Sequence, residues 1–103
     1  MLVNITFNRG VKMSDETLEQ VDEAVQLLER ISEDTTVPRN IRRAATNSLE
    51  IIREPDPELS LAVKANNAIE ILDEISQDPN CPAHARTMLL QIITLLEITD
   101  FDY

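Results

Sequence analysis

Glycine is almost missing from this chain: Gly10 is the single instance in 103 residues. The five prolines stand at positions 38, 55, 57, 79 and 82. Few chain reversals are therefore encoded, which favours helices, and glycine-rich phosphate loops are excluded. Cys81 is the only cysteine, so no intrachain disulfide can form and a reducing compartment is the simplest expectation. His84 is the only histidine, which leaves a zinc site or a Glu-x-x-His di-iron bundle short of ligands. Tryptophan is absent, and Phe7, Phe101 and Tyr103 fall in the terminal stretches. The helical part thus lacks rings on which bases could stack.

Basic residues are also scarce, 9 against 19 acids, for a net charge of −10. General binding to nucleic acid or to an anionic membrane needs the opposite balance. No apolar run approaches the roughly 18–20 residues that span a bilayer. The opening MLVNITFNRGVK lacks the basic-then-apolar order of a signal peptide. A cytoplasmic protein without membrane contact is expected. One domain is expected from the length, burying roughly 60–65% of its unfolded surface.

What is present divides the chain unevenly. Residues 1–12 hold Arg9 and Lys12, no acid, and a loose alternation of Val3, Ile5 and Phe7 with polar neighbours. They read as an extension, either mobile or a weak strand laid over the rest. The start of the remainder, Met13-Ser14-Asp15-Glu16, resembles a natural beginning: a capping serine followed by acids in a first turn. Residues 13–99 are expected to be the folded domain and residues 100–103 an acidic tail.

Within 13–99, apolar residues recur at steps of three and four, the period of a buried helical face. Helix 1, about 15–33, carries Leu18, Val21, Val25, Leu28 and Ile31. Helix 2, about 38–53, carries Ile41, Ala44, Ala45, Ser48, Leu49 and Ile52. In Glu54-Pro55-Asp56-Pro57-Glu58, Asp56 reads as an N-cap and Pro57 as the first residue of helix 3, about 57–77. Leu61, Ala65, Ala68, Ile69, Leu72 and Ile75 line that helix, and Pro82 opens helix 4, which ends near Ile98. Connections of about three or four residues would force successive helices antiparallel. The predicted fold is all-α, a four-helix antiparallel bundle.

A displacement of 44 residues superimposes helices 1 and 2 on helices 3 and 4 without a gap. Asp34, Pro38 and Arg42 meet Asp78, Pro82 and Arg86, within the shared string I-S-x-D-x-x-x-P-x-x-x-R. The bundle therefore reads as two similar helical hairpins. An aspartate past a helix C-terminus is disfavoured by that helix's dipole. It can instead accept from free N–H groups of the next helix, or pair with the arginine one turn in. These six residues are expected to be structural corner clasps, with proline at the first helical position. The period invites comparison with HEAT repeats, but two units are too few for a solenoid.

Other candidates have weaker chemistry. Cys81 and His84 form C-x-x-H where a helix dipole would favour a thiolate. The repeat, however, sets Cys81 against Val37 and His84 against Asn40, an apolar corner slot. The carboxylates from Glu16 to Glu29 read as a solvated face, and no nucleophile with an orienting base stands out. No catalytic residue, metal or cofactor is expected, and the protein is not expected to be an enzyme. Between Met88 and Ile98 only Gln91, Thr94 and Glu97 are polar, whereas a bundle buries about a 3/7 face of each helix. The surplus, at Leu90, Ile93 and Ile98, predicts a homo-oligomer or partner interface on helix 4. Arg39 and Arg43, beside Arg42, form a basic patch that is the alternative reading, a nucleic-acid-associated accessory protein. The competing expectation is that they offset Glu29 and Glu33 across the turn.

The segments QLLERISEDTTVPRNIRRAA, ELSLAVKANNAIEILDEISQDP and PAHARTMLL resemble a small archaeal family of uncharacterised proteins. The resemblance runs from about Leu27 to Glu97. It implies a compact four-helix protein, similar to a bromodomain-like variant of the up-and-down bundle, and it implies no activity. Acetyl-lysine binding does not come with that likeness, because the aromatic lining of such pockets is missing.

Overall fold

The computed structural model describes residues 15–97. The extension at 1–12, the capping Ser14, Ile98 and the tail at 100–103 lie outside the described residues.

The described residues form four helices: α1 (Asp15–Ser32), α2 (Arg39–Arg53), α3 (Leu61–Ser76) and α4 (Ala83–Leu96). Each packs on its neighbours in sequence, and α4 closes the ring against α1, while the backbones of the diagonal pairs stay apart. That is the square cross-section of an up-down-up-down bundle. The connections, 33–38, 54–60 and 77–82, are longer than expected. They remain short enough to fix the antiparallel order.

The buried positions explain why these segments are helical. Thr17, Val21, Ala24, Leu28 and Ile31 on α1 follow alternating steps of four and three, as do Ala85, Leu89, Ile92 and Leu96 on α4. One face of each helix thereby closes on the common core. Leu28, Ile41, Leu72, Leu89 and Ile92 are wholly buried. Truncating such a residue to alanine costs about 2–5 kcal/mol.

Burial recurs at the 44-residue offset, with compensating sizes. Ile41 and Ala45 of α2 correspond to Ala85 and Leu89 of α4, and Ser48 corresponds to Ile92; all six are at most 1% exposed. Large and small residues thus exchange places between the two hairpins, which lets facing layers interdigitate at native density.

Three expectations fail locally. Leu18 is 48% exposed, because the polar Thr17 occupies the inward phase of α1 instead. Helix 3 starts at Leu61, not at Pro57. Ser60 is its N-cap, accepting from the Val63 N–H at 3.2 Å. Asp56 caps a turn rather than a helix: the Glu58 N–H donates to its Oδ1 at 2.9 Å and the Leu59 N–H to its carbonyl at 3.2 Å. Proline after the first residue suits such a turn as well as it suits a helix start. Finally, Pro38 and Pro82 stand one residue ahead of their helices, with ψ of 152° in both, as extended N-caps.

Candidate functional site

The two corners at one end of the bundle repeat each other's bonds. Asp34 accepts at Oδ1 from the Thr36 N–H at 2.9 Å, and Asp78 accepts at Oδ1 from the Asn80 N–H at 2.7 Å. The N–H groups of Val37 and Cys81 donate to the carbonyls of Asp34 and Asp78. Each aspartate therefore folds its own turn and does not reach the next helix's free N–H groups. Neither aspartate forms an ion pair with the arginine of its corner. Arg42 donates from Nε to the Val37 carbonyl at 3.0 Å. Arg86 donates from Nε to the Ser76 carbonyl at 2.9 Å, and from Nη2 to the carbonyls of Cys81 at 3.2 Å and Asp78 at 3.4 Å. The clasp runs through backbone carbonyls of the two turns and of the end of α3, the Asp78 carbonyl being shared with the Cys81 N–H.

The corners also reach across to each other. Asn40 on α2 donates from Nδ2 to Asp78 Oδ2 at 3.0 Å, and its counterpart His84 on α4 sets Nε2 3.5 Å from Asp34 Oδ2. The exchange is reciprocal, so residue 40 serves the second corner and residue 84 the first. Hydrogen bonds from Thr36, with a smaller contribution from His84, hold the Asp34 carboxyl below its ordinary value of 3.8.

Cys81 and His84 do not form a joint site. Cys81 is buried in the core beside Ala85, as Val37 is in the first corner, and burial pushes its thiol above the ordinary 9.0. A raised thiol is a packing residue rather than a nucleophile. Among the described residues no three His, Cys, Asp or Glu side chains converge as metal ligands.

Arg39 and Arg43 are both exposed at the start of α2, one helical turn apart. Neither pairs with Glu29 or Glu33. Glu29 is taken by Arg53 from the other end of α2. Arg42 is committed to its turn, so the free patch is two arginines wide.

The apolar circumference of α4 is better covered than its sequence implies. Met88, Ile93 and Leu95 pack partly against the core, since α4 lies against both α1 and α3. Leu90, 50% exposed, is the one large apolar residue of α4 left in solvent among the described residues.

The concave surface lies elsewhere, along the outer seam of α2 and α3. Two neighbouring hollows of about 470 and 410 Å³ lie along it, with Ile71 lining both. Ile51, Ile71 and Ile75 line it, with Glu50, Glu54 and Glu74 alongside. Nothing in the sequence pattern of either helix announced this feature. Its isoleucines come from two segments, and each taken alone is intermediate in burial.

Comparison with known proteins places this architecture. A UPF0147 protein of Methanothermobacter thermautotrophicus is 51% identical over 88 residues, 85% of this chain and 81% of its own length. One from Aeropyrum pernix is 58% identical over 74 residues, 72% of this chain and 79% of its own. The crystal structure of a Thermoplasma acidophilum protein from the same uncharacterised family superimposes with a TM-score of 0.77 at 36% identity. That match covers 82% of this chain and 96% of the other. The family model spans residues 7–99, and so begins ahead of the composition change at Met13. With nearly all of the bundle matched, and archaeal relatives at half identity, the chain belongs to the uncharacterised protein family UPF0147.

Proposed function

We propose that this protein is a small interaction module, a binder and not a catalyst, which docks a protein partner through the α2–α3 seam. The observation that carries the reading is the pair of neighbouring hollows lined by Ile51, Ile71 and Ile75, with Ile71 common to both. Concave surfaces with apolar floors and polar edges are the usual sites of recognition. An interface on α4, which the sequence favoured, has less support, because Leu90 alone among its described large residues is strongly exposed.

Capture from the native organism with tagged wild type, Ile71→Glu and Leu90→Glu separates the two faces. A partner kept by Leu90→Glu and lost by Ile71→Glu, with helicity unchanged, supports the seam. The reverse pattern returns the docking face to α4.

A second reading, a nucleic-acid-associated accessory protein, draws on Arg39 and Arg43, which are exposed and form no ion pair among the described residues. Retention of RNA or DNA that falls steeply with salt and vanishes in Arg39→Ala/Arg43→Ala would favour it. No retention at low salt would remove it.

A further inference from the structure

We propose that the occupant of the α2–α3 seam is a basic amphipathic helix of a partner protein. This inference rests on the docking reading above and adds the chemistry of the partner.

The first argument is shape. Along α2 and its C-cap the two hollows together extend from Ala44 to Glu54, about 15 Å at 1.5 Å per residue. That accommodates roughly three turns of a helix laid between two others, presenting apolar residues at i, i+3, i+4 and i+7.

The second is charge. Glu50 stands on α2, Glu54 at its C-cap and Glu74 on α3, all exposed, and none forms an ion pair among the described residues. Asp78, at one end of the groove, is held by Asn40 and Asn80. No cation lines either hollow. The ammonium of Lys64, near the other end, is taken up by the Glu54 carbonyl. A neutral or acidic occupant would desolvate three carboxylates without compensation, which is unfavourable. Lysines or arginines flanking an apolar stripe would instead meet them with charge-assisted hydrogen bonds.

The same charges disfavour a second copy of this chain. Two carboxylate-rimmed grooves would face each other on molecules that each carry a net charge of −10.

The probe is a synthetic leucine–lysine peptide of about 18 residues, long enough to hold a helix, with leucines at i, i+3, i+4 and i+7. Its counterpart carries glutamate in place of lysine. Isoleucine methyl spectra of the full chain report the site, and fluorescence anisotropy reports affinity.

The lysine peptide is expected to shift Ile51, Ile71 and Ile75 while leaving the buried Ile41 and Ile92 in place. Its affinity should fall with salt and at least tenfold in Glu50→Gln/Glu54→Gln/Glu74→Gln. The glutamate peptide should not bind. Seam shifts with both peptides, or equal affinity for the triple variant, would overturn the charge assignment and leave the seam as a docking face. No seam shift with either peptide, together with partner capture unaffected by Ile71→Glu, would remove the seam itself. Two further outcomes also overturn the proposal. Seam methyls that move in free Arg9→Glu/Lys12→Glu would make the chain's own first residues the occupant. A dimer abolished by Ile71→Glu would make it a second copy.

Discussion

Replacing Arg86 with methionine should destabilise this protein about twice as much as the same change at Arg42, although the two occupy equivalent corners. Methionine retains most of the aliphatic stem, so the comparison isolates the guanidinium. Arg86 gives two bonds of good length, to Ser76 at 2.9 Å and Cys81 at 3.2 Å, while its contact with Asp78 at 3.4 Å is marginal. Arg42 gives one, to Val37 at 3.0 Å. A hydrogen bond from a charged donor contributes about 1.5–3 kcal/mol, and a carbonyl left without a partner adds to the loss. Partial solvent access at both corners argues for the lower end of that range. The expectation is about 3 kcal/mol for Arg86→Met and about 1.5 kcal/mol for Arg42→Met.

At about 4–8 °C per kcal/mol for a domain of this size, the losses in Tm are roughly 12–24 °C and 6–12 °C. Urea unfolding at neutral pH gives the free energies directly, with an unchanged slope as the sign that the unfolded state is not altered. Arg39→Met, which breaks no bond, should stay within about 0.5 kcal/mol of wild type. Equal losses at the two corners would refute the reasoning, as would losses under about 0.5 kcal/mol at both. Equal losses would mean that the number of carbonyls reached does not set the contribution, and negligible losses that proline and the aspartate turns hold the corners without the arginines.

Three further outcomes follow from the same packing. The Ser48 hydroxyl is wholly buried without a hydrogen-bond partner, so Ser48→Ala should raise stability by about 1 kcal/mol, read as a higher urea midpoint. A loss would show that the hydroxyl is satisfied in solution. Cys81 is buried with its thiol raised above 9.0, so a thiol reagent should label it only through opening of the α3–α4 corner, with a factor of ten in rate for each 1.4 kcal/mol of opening; labelling as fast as a free cysteine would contradict its placement. The folded-state carboxyl of Asp34 lies below 3.8, so its contribution is complete above that pH and is lost as pH falls through the folded value. The stability gap between wild type and Asp34→Asn should accordingly be level near neutrality and shrink in acid, and a gap unchanged at about pH 2 would refute the assignment.

The fold was legible in sequence because its signals are local and redundant. Heptad-like spacing, prolines ahead of α2 and α4, and the recurrence of Asp34 at Asp78 all point to one bundle. Errors arose where two local signals were equivalent. Asp56-Pro57 encodes a turn and a helix start equally well, and Ser60 settled the matter by capping at the better place. Thr17 and Leu18 compete for the inward phase of α1, and the phase set by Val21, Ala24 and Leu28 places Thr17 inside despite its polarity. On α4 the apolar surplus is smaller in the fold than in the sequence. An apolar circumference looks unpartnered when a helix is read alone, but two neighbouring helices cover its flanks.

The candidate seam is a matter of distance along the chain. Ile51 and Ile71 are 20 residues apart and belong to helices whose own patterns are dominated by the core. Each is intermediate in burial, so neither breaks the heptad rule strongly enough to be noticed. Only the antiparallel placement of α2 beside α3 turns two unremarkable shoulder residues into one floor, and three scattered glutamates into its rim. The corners show the opposite case. Asp34, Pro38 and Arg42 are close in sequence, their chemistry acts over one turn, and the same residue types stand at 78, 82 and 86. Even there the partner of each arginine was misjudged, because backbone carbonyls at a helix end have no sequence signature and outcompete an aspartate already saturated by its own turn. A short-range motif thus reveals which residues act together, while the acceptor they act on emerges only with the fold.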